Sequence, residues 1–138
     1  MESQTTFEHY AVGEVDYNKL SEEQIDNACY ELFKLRPIPF VPKKGEFYQL
    51  QKDIEKRLTA MGSTIPMAYI QSSTYLVGSQ RQIIQNHGDQ LIIKVGGGYF
   101  KFEEYIPQNQ QFYQRTLLMY MIKSKMSLEW VCEAIMND

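Results

Sequence analysis

The spacing of apolar residues changes twice along this chain, and that change most constrains the fold. Residues 21–62 carry apolar side chains at intervals of three and four positions, which is typical of amphipathic helices. From Met67 to Val95, short runs of β-branched and aromatic residues alternate with Gly, Ser and Asn, which is typical of strands and turns. Helical spacing returns after Pro107. We therefore predict an α+β fold: a small antiparallel sheet flanked by an N-terminal and a C-terminal helical pair.

The predicted helices have recognisable ends. Ser21 and Gln24 have the spacing of a capping box, so the first helix should begin at Ser21 and end before Pro37. A second helix is predicted from Lys44 to Met61, with Gly62 as its left-handed cap. We divide the chain into an N-terminal arm (1–20), a helical pair (21–62), an α+β core (63–107) and a C-terminal helical pair (108–138), with 21–138 as one compact unit.

Residues 81–85 and 90–95 are predicted to pair as an antiparallel hairpin. A turn centred on His87–Gly88 places Arg81 opposite Lys94, and like charges directly opposite each other destabilise a sheet. On this pattern the side chains that face the core are those of Ile84, Leu91, Ile93 and Val95.

The run Gly96–Gly98 follows the last predicted strand. Backbone N–H groups at the start of a helix can cradle phosphate, but the Lys-Ser/Thr pair of a P-loop does not follow here. We favour a tight crossing from the strand into a short helix at 100–106, ended by Pro107, with the glycines in a structural role. Gly78, which follows an earlier predicted strand, is assigned the same structural role.

Composition excludes several classes of function. The net charge is −3 and the pI about 5.4, so general binding to nucleic-acid phosphates is disfavoured. No apolar run is long enough to span a bilayer, and the N-terminus lacks the apolar core of a signal peptide. Cys29 and Cys132 are far apart and match no disulfide-rich pattern, which favours a reducing compartment. We expect a soluble protein of the cytoplasm or cytoskeleton, with no membrane or nucleic-acid partner.

Residue types that carry catalysis or bind metals are sparse. His9 and His87 have no ligand spacing relative to each other or to the cysteines, so we predict no metal site. Glu103 and Glu104 are adjacent and would point in different directions on a helix. No segment combines a nucleophile, a base and an oxyanion donor. We expect a binding module that is not an enzyme and needs no cofactor.

Charge is distributed unevenly along the chain. Between Gly78 and Lys101 there are three basic residues, Arg81, Lys94 and Lys101, and one acidic residue, Asp89. The remainder carries 11 basic and 16 acidic residues. The predicted sheet is therefore mildly positive on an acidic protein. Two interpretations are open: a surface that binds an acidic partner, and an ordinary solvent-facing sheet.

Three segments resemble the growth-arrest-specific-related domain, called GAR: Tyr75-Leu-Val-Gly78, the stretch from Gln90 to Tyr99, and Glu103-Glu-Tyr-Ile106. That family has a Tyr-x-x-Gly start, then strands, then Val-Arg-Val-Gly-Gly-Gly-Trp, and then Leu-Glu-Glu-Phe/Tyr-Leu. The resemblance covers residues 74–107, roughly a quarter of the chain.

This chain departs from the GAR pattern at several positions. Lys94 stands for the family's Arg, Tyr99 for its Trp and Phe102 for its first Leu. The upstream Cys-x-Cys of the family is absent, and Gln108–Gln110 replaces its Asp-Pro-Cys. The resemblance therefore does not carry the family's structural zinc over to this chain.

GAR domains bind microtubules, so the resemblance implies a microtubule-associated role with tubulin as partner, and other cytoskeletal or axonemal proteins as further partners. The uneven charge predicts Arg81, Lys94 and Lys101 as contact residues, and Tyr99, at the position of the family's Trp, is added to them. We expect the cytoplasm and its cytoskeleton as the location, with the ciliary axoneme as a narrower expectation from the small size of the chain. The alternative is a subunit that binds another protein through its helical flanks, while the GAR-like sheet is purely structural.

Overall fold

The computed structural model describes residues 16–34 and 48–137, which form four α-helices and a five-stranded sheet. The helices are α1 (Glu22–Phe33), α2 (Tyr48–Met61), α3 (Phe102–Ser124) and α4 (Leu128–Met136), and a short 3-10 helix, Tyr17–Lys19, precedes them. The strands are β1 (Met67–Gln71), β2 (Thr74–Val77), β3 (Gln80–His87), β4 (Gln90–Val95) and β5 (Gly98–Lys101). The predicted α+β class, with helical pairs before and after an antiparallel sheet, is confirmed.

The sheet is an antiparallel meander in which the strand order follows the chain order, β1-β2-β3-β4-β5. Each connection is a loop of two residues, and the first residue of each loop has a positive φ. These residues are Ser72 (φ 49°), Gly78 (61°), Gly88 (65°) and Gly96 (60°). A positive φ at this position gives the loop a twist that matches the flanking strands, as in type II′ hairpins. Glycine adopts it without steric cost.

One face of the sheet packs against α2 and the first half of α3 to form the first core. Its fully buried side chains include Ile54, Leu58, Met67, Tyr75, Ile84, Leu91, Ile93, Phe102 and Ile106. The predicted inward direction of Ile84, Leu91 and Ile93 is confirmed, and Val95 packs half-buried at the margin of this core.

The opposite face of β1 and β2 packs against α1, the second half of α3 and α4 to form the second core. Its buried side chains include Phe33, Ala68, Leu76, Leu117, Leu118, Met121, Leu128 and Cys132. The helix α3 therefore contributes to both cores, with Phe102 and Ile106 in the first and Leu117 and Met121 in the second.

The capping box predicted at Ser21 and the left-handed cap predicted at Gly62 are confirmed. The Gln24 amide N–H donates to Ser21 Oγ at 3.1 Å, and the Ser21 N–H donates to Gln24 Oε1 at 2.9 Å, which completes the capping box. Gly62 has a φ of +65° after α2, and the Ser63 N–H donates to the Leu58 carbonyl at 3.0 Å.

The hairpin between β3 and β4 is confirmed, but the predicted register was wrong by two residues. His87 pairs with Gln90, so the loop begins at Gly88. The physical reason is the positive φ at the first loop position, which glycine supplies and a bulky residue resists. Arg81 therefore does not lie opposite Lys94. Because side chains alternate with a period of two, this slip leaves each one on the face that was predicted.

The short helix predicted at 100–106 was also wrong. Residues Gly98–Lys101 form the strand β5, paired with β4 across the loop Gly96–Gly97, so the glycine run lies in a hairpin instead of a crossing into a helix. The helix α3 begins at Phe102 and continues through Pro107, which is only its sixth residue. The boundary that we drew between residues 107 and 108 therefore falls inside one helix.

Residues 1–15, 35–47 and 138 lie outside the described part of the chain. The predicted arm up to residue 15, His9, the end of the first helix near Pro37 and the start of the second helix at Lys44 fall within those ranges.

Candidate functional site

The side chains of β3, β4 and β5 that point away from the first core form a continuous surface, called here the open sheet face. Its members are Arg81, Ile83, Gln85, His87, Gln90, Ile92, Lys94, Tyr99 and Lys101. Each of them is exposed or half-buried. The helix α4 packs on β2 and the adjoining part of β3, so the surface runs from α4 to the edge strand β5.

The structure places all four predicted contact residues on the open sheet face. Arg81 lies opposite Leu76, where β3 runs beside β2. Lys94 lies in the middle of the face, opposite Tyr99 of β5, and Lys101 lies at the end of the same edge strand. Residues that are distant in the sequence are thus brought together by the two hairpins that join β3, β4 and β5.

Lys94 and Tyr99 form a cross-strand pair at the centre of this surface. The Lys94 Nζ lies 5.6 Å from the centroid of the Tyr99 ring, which is within the range of a cation–π contact. The His87 ring lies 6.2 Å from the same tyrosine ring, and Tyr99 remains 58% exposed. The ring therefore holds a cation at the surface while leaving much of its own area available to a partner.

The open sheet face carries three cations and no carboxylate among its nine members. Glu104, on the first turn of α3, lies 3.8 Å from Lys101 Nζ in an ion pair that is well exposed on both sides. Exposed pairs of this kind contribute little free energy, so an acidic partner can displace them.

Acidic groups on the other side of the sheet are engaged by Arg57 of α2. Its Nε lies 3.0 Å from Asp53 Oδ2, its guanidinium pairs with Glu103, and a third N–H donates to the Asp89 carbonyl at 3.0 Å. This cluster fastens α2 to the β3–β4 loop and to the start of α3. The carboxylates of this cluster, those of Asp53 and Glu103, are therefore engaged by Arg57.

Two of the four structural glycines, Gly78 and Gly96, have a positive φ, which disfavours residues with a side chain. At Gly78 an added Cβ would lie 2.4 Å from the Cβ of Tyr113 on α3, and the φ is positive as well. Gly96 needs only its positive φ, since a Cβ there meets open space. At Gly97 a Cβ also meets open space, without a positive φ, and at Gly98 it would lie 3.2 Å from the Phe100 ring.

Tyr113, against which Gly78 packs, belongs to a buried polar network beneath the sheet. Its hydroxyl bonds to the hydroxyl of Tyr105 and lies 3.4 Å from Gln82 Nε2. Burial raises the pKa of Tyr113 above its ordinary value, and the bond to Tyr105 adds to the effect. The phenol is therefore neutral at physiological pH and serves as a hydrogen-bonding group between α3 and β3.

A second surface lies between the end of α3 and α4. It is a groove of about 370 Å³ whose lining includes Tyr120, Lys123, Trp130 and Ile135. Trp130, which is the chain's one tryptophan, is 47% exposed. Sequence analysis did not single this groove out. The available signal was that Trp130 falls outside the apolar stripe that Leu128, Val131 and Cys132 form on α4.

No protein-family model, curated protein or solved structure matches this chain. The GAR resemblance therefore stays a prediction carried by its motif.

Within residues 16–34 and 48–137, no three His, Cys, Asp or Glu side chains are grouped so that they could hold a metal ion. None of the helices in those ranges is long and apolar enough to cross a membrane. Cys29 and Cys132 are buried in the second core, and burial is the main cause that raises the pKa of each thiol to about 12. These thiols are therefore neutral at physiological pH and lack the nucleophilic form.

Proposed function

We propose that this chain is a non-enzymatic cytoskeletal binding module that attaches to microtubules through the open sheet face. The observation that carries the proposal is the gathering of Arg81, Lys94 and Lys101 on one exposed face of a protein whose net charge is −3. The GAR-like motif supports it, because Lys94 and Tyr99 belong to both the motif and this face. Cytoplasm and cytoskeleton, with the ciliary axoneme as a narrower possibility, are the corresponding locations.

Exposed cations attract an acidic surface mainly by long-range electrostatics, which salt screens over a length of about 10 Å at 0.1 M. Microtubule binding through this face should therefore weaken steeply as salt is raised. Co-sedimentation with polymerised tubulin over a series of salt concentrations measures this directly.

The decisive variant is the double reversal Lys94→Glu/Lys101→Glu. Replacing two cations with two anions should weaken co-sedimentation by roughly tenfold or more, since each exposed pair contributes about 0.2–1 kcal/mol and repulsion adds to the loss. The fold should persist, because Lys101 is the N-cap of α3 and an acidic side chain is favourable at a helix N-terminus.

The chain offers a matched control in Lys52→Glu/Lys56→Glu on α2, across the sheet from the open face. Both lysines are exposed, the charge change is the same, and Lys52 Nζ also sits over a tyrosine ring, 5.1 Å from the centroid of Tyr48. This control should pellet like the unmodified protein. If both double variants lose binding equally, net charge is the cause and the open sheet face is not the contact.

The groove between α3 and α4 favours a second candidate function, in which the helical flanks bind another protein and the sheet is structural. The half-exposed Trp130 beside an apolar groove is typical of a residue that anchors a protein partner. The variant Trp130→Ala separates the two candidates. Loss of co-sedimentation in Trp130→Ala, together with full binding by Lys94→Glu/Lys101→Glu, would favour the groove.

A further inference from the structure

We propose that the open sheet face recognises an extended acidic protein segment whose carboxylates occur at alternate residues. The inference rests on the proposed function in that it uses the same face, and it specifies the chemistry of the partner. Its basis is the relative position of the three cations, which follows from the observed register of β3, β4 and β5.

The three cations form a straight diagonal across three neighbouring strands. Lys94 lies opposite Ile83 of β3 and opposite Tyr99 of β5. Arg81 is two residues before Ile83, and Lys101 is two residues after Tyr99. Because adjacent strands are antiparallel, these two residues lie on opposite sides of the row that contains Lys94. Each step along the diagonal joins diagonal cross-strand neighbours, whose Cα atoms are about 7–8 Å apart.

An extended peptide repeats on nearly the same scale. Its side chains on one side recur every second residue, about 6.6–6.8 Å apart. Carboxylates at positions i, i+2 and i+4 can therefore meet Arg81, Lys94 and Lys101 in turn, and the flexible basic side chains absorb the small difference in spacing. A contiguous run of three acidic residues presents only two carboxylates to the sheet, since the middle one points away.

Apolar side chains border the diagonal on both sides. Ile83 and Ile92, which are half-buried, lie along one side of it, and the exposed Tyr99 ring lies along the other. A peptide placed between them would be partly shielded from water, and ion pairs are stronger where water is displaced. This border favours a peptide backbone over a bare cluster of small anions.

The same spacing could accommodate phosphates of a single-stranded nucleic acid, and the overall charge argues against it. A protein with net charge −3 offers only three cations on this face, while a polynucleotide brings further phosphates that it would repel. A short acidic segment within a protein partner avoids that penalty.

The test is a titration of isotope-labelled protein with two synthetic peptides, followed by amide NMR. One peptide has the sequence Ser-Glu-Thr-Glu-Thr-Glu-Ser, and the other has the same composition with the three Glu contiguous, Ser-Thr-Glu-Glu-Glu-Thr-Ser. The alternating peptide should shift the amide signals of Lys94, Tyr99 and Lys101 and bind roughly twofold to fivefold more tightly, as expected for one additional exposed ion pair.

Lys101→Gln removes an end cation and should abolish this preference, because Arg81 and Lys94 are consecutive steps that two carboxylates of either peptide can meet. Lys52→Gln, on α2, should leave the preference unchanged. The inference is overturned if the contiguous peptide binds as tightly, if Lys101→Gln keeps the preference, or if a decathymidylate shifts the same signals at lower concentration.

Failure here is distinguishable from failure of the proposed function. Suppose that Lys94→Glu/Lys101→Glu weakens co-sedimentation while neither peptide shifts the amide signals. That result would support microtubule binding and overturn recognition of an extended segment. Preference for the alternating peptide without co-sedimentation would support the recognised chemistry and overturn microtubules as the partner.

Discussion

Ser72 is, with Lys125, one of two residues other than glycine that have a positive φ in the described part of the chain. It is the first residue of the β1–β2 loop, with a φ of 49°, and the other three loops of the meander have glycine there. A left-handed backbone conformation costs an ordinary residue about 1–2 kcal/mol. Glycine removes this cost, but it also increases the conformational entropy of the unfolded chain, which offsets part of the gain in stability. Ser72→Gly should therefore raise the free energy of unfolding by about 0.5–1 kcal/mol, measured by urea denaturation.

Ser73→Gly is the matched control for that substitution, since Ser73 is in the same loop and does not have a positive φ. It should leave stability unchanged or lower it slightly, because glycine at this position relieves no strain and only increases the conformational entropy of the unfolded chain. Stabilisation by both substitutions, or by neither, would mean that the conformation of Ser72 is not strained.

The two buried cysteines predict how stability depends on pH. Burial raises the pKa of Cys29 and of Cys132 from 9.0 to about 12, so the folded state holds these protons more tightly than the unfolded state. The stability that this contributes is fully present below pH 9 and is lost as the pH rises towards 12. Urea midpoints measured from pH 7 to pH 11 should fall above pH 9, and less steeply in Cys29→Ala/Cys132→Ala. Equal slopes in both proteins would contradict the assignment to the thiols, since tyrosines also ionise in this range.

At the scale of elements, α3 contains a proline in its second turn. Pro107 cannot donate a hydrogen bond to the carbonyl four residues earlier, and its ring crowds that carbonyl. Pro107→Ala should raise the free energy of unfolding by about 1–3 kcal/mol, after allowance for the greater freedom of alanine in the unfolded chain. Chemical denaturation measures the change. Gln108→Ala, at the exposed neighbouring position, should stay within about 0.5 kcal/mol. An unchanged or lower stability of Pro107→Ala would contradict the proposed cost of the proline.

The strands were predictable as far as local chemistry decides them. Apolar and β-branched runs indicated β1 to β4, and the capping residues indicated where α1 begins. The register of the β3–β4 hairpin was missed because the prediction put Gly88 at the second loop position, whereas the observed loop has this glycine first, where the positive φ is needed. The strand β5 was missed because Phe100 to Ile106 also suits a helix, and only pairing with β4 decides between them.

The candidate site was predictable in composition and not in geometry. The charge count identified Arg81, Lys94 and Lys101, and the period of two placed the first two on the same face despite the wrong register. The contact between Lys94 and Tyr99 and the diagonal of cations depend on β5, so they could not be derived from the sequence. The groove beside Trp130 depends on the angle between α3 and α4, which local patterns do not determine.

At the scale of the whole molecule, the two cores share α3 and should unfold together. The chain's single tryptophan, Trp130, lies on α4 and reports on the second core, whereas Ile84 is fully buried in the first. Ile84→Ala should lower the free energy of unfolding by about 2–5 kcal/mol and shift the tryptophan fluorescence transition as much as the circular dichroism transition. Gln85→Ala, on the exposed face of the same strand, should change neither by more than about 0.5 kcal/mol. A fluorescence transition that stays in place for Ile84→Ala would mean that the cores unfold separately.

The two-residue loops of the meander also set the order in which this protein can fold. Every strand pairs with the strand next to it in the chain, so the sheet needs no contact between distant parts of the sequence. Low contact order of this kind favours fast folding, and hairpins of this size form within microseconds. Contacts between α1 and α3 join residues that are far apart in the sequence, because the whole sheet lies between them. We therefore expect the packing of these helices to be the slow step. A sheet assembled early and locally leaves few free strand edges for other chains to pair with while folding is under way.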